Sequence, residues 1–421
     1  MSYWGEIRTE RRLILATCLG QAAGYSIVTY INNLFTPQLL QAFHWSRAEF
    51  AGVGSVLLLG ILIQPITGRL GDTFGAKRVA TLGVIGGPLV FLGFSLMTGA
   101  LWQFYLLTLL HLVITSGATG PVNYSRIIVR NLDRTRGLAL AAAASTPPAV
   151  AALAIGSLSH YIDARGWRAG YQAVAVTTAI AGALALWLIP AGADVPMRAS
   201  AATHERAASF GPILRSRAFH LLCAAVFLCM LSFTLQTTQL KVILLDRGID
   251  SATGSMAIAL FATATIAGRL LCGVALDRFP AYAIAAVFLG LPGIGLTLLA
   301  MGVTQPIAVA IAVSLLGASL GAEGDVWAYL VRRYFQPEIY GTVLGLVFSA
   351  MALSSGLGAL LLSQMLKQQN GGFTPFLVVS AASVFAGSGL LLLLRSVPSV
   401  PSGFPVLETV TQPDRAAVQH L

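Results

Sequence analysis

Apolar residues fall in twelve long runs separated by short polar connections. A membrane crossing needs about 20 mostly apolar residues. The runs at 13–42, 46–70, 78–99, 101–129, 136–161, 167–190, 217–245, 251–276, 281–302, 305–332, 339–366 and 373–395 each reach that length and are numbered spans 1 to 12. A helix satisfies its own backbone hydrogen bonds in lipid, so the pattern predicts an all-α integral membrane protein. Ser46 and Ser251 stand where spans 2 and 8 begin and read as helix N-caps; Ser46-Arg47-Ala48-Glu49 has the spacing of a capping box. Pro147-Pro148 inside span 5 predicts a broken helix ladder, either a hinge or a plain kink. Glycine pairs four apart at 20/24, 83/87, 317/321 and 341/345 predict close helix packing.

Composition agrees with this reading. Of 421 residues, 56% are hydrophobic and 10% charged, against roughly 25% charged in a soluble domain. Mean hydropathy is +0.78. A soluble globular chain and a disordered one are both excluded. The net charge of +10 gains its meaning from position. Eighteen of the 26 Lys and Arg residues fall in one set of connections and five in the alternate set; Arg126, Lys241 and Arg269 lie within spans. The positive-inside rule then places both termini and the 191–216 connection in the cytoplasm. The basic excess is topological and implies no nucleic-acid partner. Arg8, Arg11 and Arg12 precede an apolar run too long for a cleavable signal, so a multi-pass protein of the cell (inner) membrane is expected. Cys18, Cys223, Cys229 and Cys272 lie in apolar runs without metal-ligand spacing and read as packing residues. No metal, nucleotide or nucleophile–base constellation is legible, so neither an enzyme nor a cofactor is expected.

The chain repeats itself. Gly68-Arg69-Leu70-Gly71-Asp72-Thr73-Phe74-Gly75-Ala76-Lys77-Arg78 follows span 2, and Gly273-Val274-Ala275-Leu276-Asp277-Arg278-Phe279 closes span 8. An offset of 205 residues maps Gly68 to Gly273, Asp72 to Asp277 and Ser46 to Ser251. Six spans, a polar linker and six more spans make a parallel duplication. The expected units are a six-helix bundle over 1–190, a cytoplasmic linker over 191–216, a second six-helix bundle over 217–396 and a cytoplasmic tail over 397–421. In the loop motif, glycines allow a tight turn and close helix approach. The aspartate can cap and pair with Arg or Lys, and that pair can form and break as the bundles rock. Gly68, Asp72, Gly75, Lys77, Arg78, Gly273, Asp277 and Arg278 are therefore the candidate gating residues.

Ionisable groups at bilayer depth cost at least about 2.5–3.5 kcal/mol and are functional hypotheses by default. Arg269 lies eight residues before Asp277, about 12 Å deep at the helical rise. Its counterpart in the repeat is the neutral Gln64, so the repeat does not demand a charge there. It reads as an anchor for an anionic substrate or as a structural ion pair between spans 8 and 10. Glu323 and Asp325 lie in span 10, two residues and so roughly 200° apart. Asp325 shares a face with Tyr329 and Glu323 shares one with Trp327. One carboxylate is expected to face Arg269 and the other to pack against a neighbouring helix. Either is a candidate proton site, or part of a fixed salt bridge. Lys241, near the outer end of span 7, reads as a snorkelling side chain. His111 reads as a packed neutral histidine. Tyr25, Tyr30, Asn32 and Asn33 on span 1 and Gln236, Thr237, Thr238 and Gln239 on span 7 form either a hydrogen-bonding vestibule or polar glue between helices.

The loop after span 2 matches the G-x-L-x-D-x-x-G-x-K-R signature, and with the duplication the chain resembles the major facilitator superfamily over about residues 10–396. The second copy is degenerate, with no glycine after Phe279. The resemblance implies twelve transmembrane helices in two pseudo-symmetric six-helix bundles, with spans 1, 4, 7 and 10 lining a cavity. Tyr30, Asn32, Asn33, Asn123, Gln236, Gln239 and Tyr329 then join Arg269 as candidate substrate-binding residues. Trp45 to Glu49, Gly321 to Phe335 and Tyr340 to Phe348 look like the bacterial monocarboxylate porter and oxalate/formate antiporter grouping, whose members carry organic anions on a span-8 arginine. Arg269 in Ala267-Gly268-Arg269-Leu270 matches that position. Spans 1 and 11 lack the second cation of those families, which favours one carboxylate on a larger, partly apolar molecule. The expected function is secondary active transport of small organic anions by alternating access, with a proton as coupling ion, by a monomer in the lipid bilayer. The alternatives are a proton-coupled drug or metabolite exporter, against which the Ala141 to Pro148 stretch of span 5 counts, and a transporter-like ligand sensor.

Overall fold

The computed structural model describes residues 3–63, 74–132, 134–190, 210–336, 339–368 and 370–398. Every regular element among them is helical. Among the described residues, nine helices are long and apolar enough to cross a membrane: Ala76–Ser95, Arg136–Arg165, Trp167–Leu188, Arg217–Leu245, Ser251–Arg278, Ala281–Ala300, Pro306–Tyr334, Tyr340–Gln368 and Thr374–Ser396. Large apolar side chains such as Leu82, Ile85 and Leu89 on one face of Ala76–Ser95 are exposed, as a lipid-facing surface requires. Spans 2, 5, 7, 8 and 11 of the sequence reading each begin within a few residues of an observed helix.

The interruptions differ from the prediction. Pro147 and Pro148 are buried inside the unbroken helix Arg136–Arg165. The helix runs on through the double proline despite the lost backbone donors. Three other spans break instead. Span 1 is the pair Arg11–Ala22 and Tyr25–Phe43, bent by 46°. Span 4 divides into Leu101–Thr115 and Pro121–Asn131. Span 7 carries a π-helical stretch at Leu235–Gln239. Span 2 opens with Arg47–Gly52 and tightens to a 3-10 stretch at Val53–Leu59.

A broken helix in lipid must have its freed backbone groups satisfied by neighbours. The breaks in spans 1 and 4 do this for each other. The Tyr25 backbone N–H donates to Thr119 Oγ1 at 3.1 Å. Gly24 permits the approach, since a Cβ there would lie 2.3 Å from the Thr119 carbonyl oxygen. The π stretch likewise leaves the Gln236 carbonyl available, and Asn33 Nδ2 donates to it at 2.9 Å.

Ser46 caps Arg47–Gly52 with the reciprocal Glu49 contacts of a capping box. Ser251 is not the cap of span 8. Asp250 occupies that position, accepting from the Thr253 N–H at 3.0 Å. Those bonds to Thr253 hold the Asp250 carboxyl below the usual range. Gly75 caps Ala76–Ser95 with φ +87°, a conformation that favours glycine.

The two halves of the chain meet at the end of the bundle opposite the chain termini, here the far face. Span 1 meets span 7 through Asn33. Span 2 meets span 11 where Ser363 Oγ donates to the Ala48 carbonyl at 2.7 Å. Span 5 meets span 8 where Ser159 and Ser255 share a hydrogen bond of 2.7 Å. Arg47 forms an ion pair with Asp246, donates to the Gly371 carbonyl at 3.0 Å and lies over the Phe373 ring. Among the described residues, these contacts between the halves lie at the far face.

Candidate functional site

Glycine builds the site. Spans 8 and 10 approach so closely that a Cβ on Gly317 would lie 2.2 Å from the Phe261 carbonyl oxygen, and one on Gly321 1.8 Å from that of Thr265. From the other side, a Cβ on Gly268 would lie 2.1 Å from the Ala318 carbonyl oxygen. This backbone-to-backbone seam is what the 317/321 pair predicted. It brings Arg269, the residue after Gly268, directly onto span 10. Arg269 Nε donates to the Gly321 carbonyl at 3.2 Å and lies 3.3 Å from Asp325 Oδ2. The Arg269 side chain is 19% exposed and that of Asp325 is 54% exposed. The Nη1 group of Arg269 is buried without a hydrogen-bond partner. A desolvated guanidinium N–H is costly to leave unmade and is matched best by a carboxylate or phosphate.

The two carboxylates of span 10 separate as their spacing requires. Asp325 faces Arg269. Glu323 is buried and lines a small cavity with Cys229, Met230, Gln236, Pro292 and Ser319. Tyr30 of span 1 is buried across from them, beside Thr265 and within electrostatic reach of Arg269 and Glu323. Its ring centroid is 6.4 Å from that of Phe261 of span 8. Tyr329, one turn after Asp325 on span 10, is exposed.

The other polar candidates separate into distinct places. Asn32 lines a cavity of about 150 Å³ between spans 1, 2, 4 and 7, with Tyr25, Thr29, Phe50, Phe104, His111 and Thr237. His111 packs between the rings of Tyr25 and Phe91, each 5.5 Å away. Asn33 belongs to the seal. Gln236 donates to Ser232 Oγ at 2.7 Å and borders the Glu323 cavity. Gln239 is buried in the seal, with Nε2 3.4 Å from the Arg47 carbonyl. Asn123 is engaged elsewhere: its amide donates to the Ala118 and Ala76 carbonyls at 2.8 and 2.9 Å, tying the break in span 4 to the start of span 3.

The gating candidates divide in the same way. Gly68 and Asp72 lie outside the described residues. Lys77 donates to the Ile189 carbonyl at 3.0 Å, and Arg78 is exposed. Asp277 and Arg278 are exposed at the end of Ser251–Arg278. Gly273 does not serve close approach, since a Cβ there would meet nothing within 4 Å. The 341/345 pair is equally open. In both places the helix face is unopposed, so glycine spacing alone misled.

Lys241 also departs from expectation. It is 3% exposed rather than snorkelling, with Nζ 2.8 Å from Ser255 Oγ and 3.3 Å from Ser159 Oγ. Its backbone N–H points at Asn33 Oδ1, 3.3 Å away. Sequence position alone did not show that spans 5 and 8 cover the lysine.

A family model for the Major Facilitator Superfamily matches residues 17–236 and 222–416. The chain belongs to that superfamily. Solved members share its fold. The nucleoside transporter NupG superposes with a TM-score of 0.74 at 12% identity, over 91% of this chain and 99% of that one. A D-xylose-proton symporter gives 0.69 at 13% identity, over 94% and 98%. A bacterial homolog of the human lysosomal transporter Spinster, solved inward-facing and unoccupied, gives 0.62 at 17% identity, over 90% and 94%. Among curated proteins, human monocarboxylate transporter 11 is 26% identical over 281 residues, 63% of this chain and 56% of its own length. This superfamily member is a multi-pass membrane transporter and not an enzyme.

Proposed function

We propose that this transporter carries small organic monoanions by alternating access, coupled to protons. The observation that carries the reading is the buried, unpartnered Nη1 of Arg269 beside Asp325. A substrate carboxylate would complete the guanidinium, and in doing so would compete with Asp325 for it. Asp325, released from the cation, would then take a proton. That exchange links proton uptake to anion binding without any further group. Asp325 is favoured over Glu323 because it touches Arg269 and is open to water. Tyr30 would donate to the bound anion from the opposite half, and Asn32 and its cavity would receive the apolar body. The relation to monocarboxylate transporter 11 supports the substrate class.

With both termini cytoplasmic in a cell membrane, the far-face seal would lie on the outer side. The bundles 1–190 and 217–396 would then rock about the site, with the 191–216 linker joining them and the charged loops at Lys77, Arg78, Asp277 and Arg278 forming and breaking contacts on the cytoplasmic side. A monomer suffices for this cycle.

The test is a thermal-shift screen of the detergent-solubilised protein against organic acids, in parallel with Arg269→Gln. Ligands that bind the folded state raise its melting temperature. Stabilisation of the wild type by monocarboxylates, absent in Arg269→Gln, is the expected result. Stabilisation only by neutral or cationic compounds, equal in both proteins, would replace this reading with that of a drug or metabolite exporter.

A further inference from the structure

The arginine site leaves one buried cation unused. Lys241 is buried in the far-face seal beside Asn33, Ser159 and Ser255. A neutral side chain would serve as well if hydrogen bonding to two serines were all that the position required. A buried charge in a span is costly and marks a functional position by default. Its surroundings also divide between the halves. Ser159 and, within electrostatic reach, Asp163 belong to span 5; Ser255 belongs to span 8. Asp163 already accepts from Gln38 at 3.1 Å and lies 3.3 Å from Ser251. When the halves part at the far face, Ser159 and Asp163 leave together. Lys241 then keeps a single hydroxyl partner and faces the opening. The remaining carboxylates near this end of the second half are placed elsewhere. Asp250 caps its own helix, and Asp246 lies five residues on, roughly 140° around the helix.

We propose that Lys241 is a second carboxylate-binding residue, the one that receives the substrate anion when the far face is open. The inference rests on the organic-anion reading of the Arg269 site. In the closed state Ser159 and Ser255 hold the ammonium in place of the carboxylate. Arg269 and Lys241 thereby lie on two sides of one barrier, and each is available to an anion only when its own side is open. The missing second cation of spans 1 and 11 is supplied by span 7, in a different conformation.

The protein has three lysines, Lys77, Lys241 and Lys367, which makes a direct test feasible on the wild type. A membrane-impermeant sulfonated N-hydroxysuccinimide ester is applied to vesicles from the far side, and acylation of each lysine is read by mass spectrometry. Acylation of Lys241 is expected, and a panel of pyruvate, benzoate and phenylacetate should slow it at least about tenfold at saturation while leaving Lys367 unchanged. In transport, Lys241→Met should raise the KM for the same anions at least about tenfold from the far side only, with Lys241→Arg partly restoring it. Unprotected acylation, or a KM that changes equally from both sides, would overturn the proposal while leaving the Arg269 site intact. Absence of any carboxylate response in the wild type, by melting temperature as well as by labelling, would remove the Arg269 reading and this one with it.

Discussion

Spans 8 and 10 in the second half correspond to spans 2 and 4 in the first, yet the two pairs are built on different principles. Ser251–Arg278 and Pro306–Tyr334 are unbroken helices joined by a glycine seam with carbonyl oxygens pressed against Cα atoms. Span 2 tightens into a 3-10 stretch, and span 4 is divided at Ser116–Gly120. The unbroken pair holds Arg269, Glu323 and Asp325; the interrupted pair lines an aromatic cavity with Phe50, Phe104 and His111. A duplicated scaffold has separated two tasks. Fixing a charged group at bilayer depth requires rigid neighbours, because an ion pair gains most when its geometry is held. Reshaping a cavity requires segments whose backbone bonds are already exchanged with neighbours.

The largest effect expected from breaking this contrast is at the charge itself. Arg269→Gln should weaken monocarboxylate binding at least about 30-fold, the equivalent of ~2 kcal/mol for a desolvated charge-assisted pair, measured by equilibrium binding in detergent. Retained binding would make Arg269 a structural ion-pair residue only. Next come the two carboxylates. Asp325→Asn should abolish accumulation driven by a pH gradient in proteoliposomes while sparing counterflow exchange, and Glu323→Gln should leave accumulation in place. The reverse pattern would move the proton to Glu323. The seam itself is tested by Gly321→Ala, which should destabilise the protein by about 1–3 kcal/mol through overpacking. Gly273→Ala, on the open face of the same helix pair, should stay within about 0.5 kcal/mol of wild type. Equal losses at both would show that the seam carries no special packing. The smallest change is at the edge of the interrupted half: Ser46→Ala should cost about 1 kcal/mol by removing one side of the capping box, read as a lowered melting temperature.

Much of this was legible in the sequence. The capping box at Ser46 and the starts of spans 2, 5, 7, 8 and 11 follow from period and spacing, which are local quantities. The facing of Asp325 and Glu323 to different sides follows from the 200° between them. Failures came wherever a second helix decided the outcome. Pro147-Pro148 reads as a break, but the helix runs on through it. At the breaks of spans 1 and 4, the Thr119 hydroxyl accepts from the Tyr25 N–H, a partner 94 residues away. Gly341 and Gly345 have the spacing of packing glycines, and Gly273 stands in the repeated motif, yet a Cβ at any of them would meet nothing within 4 Å. Lys241 reads as an amphipathic end residue until span 5 is known to cover it.

The far-face seal has one further property. Several of its cross-half bonds end on main-chain oxygens: those of Gln236, Ala48 and Gly371 accept from Asn33, Ser363 and Arg47. Any residue type offers the same oxygen. The bonds themselves therefore set the side chains of the donors only, and what limits Ala48 is its burial in the core.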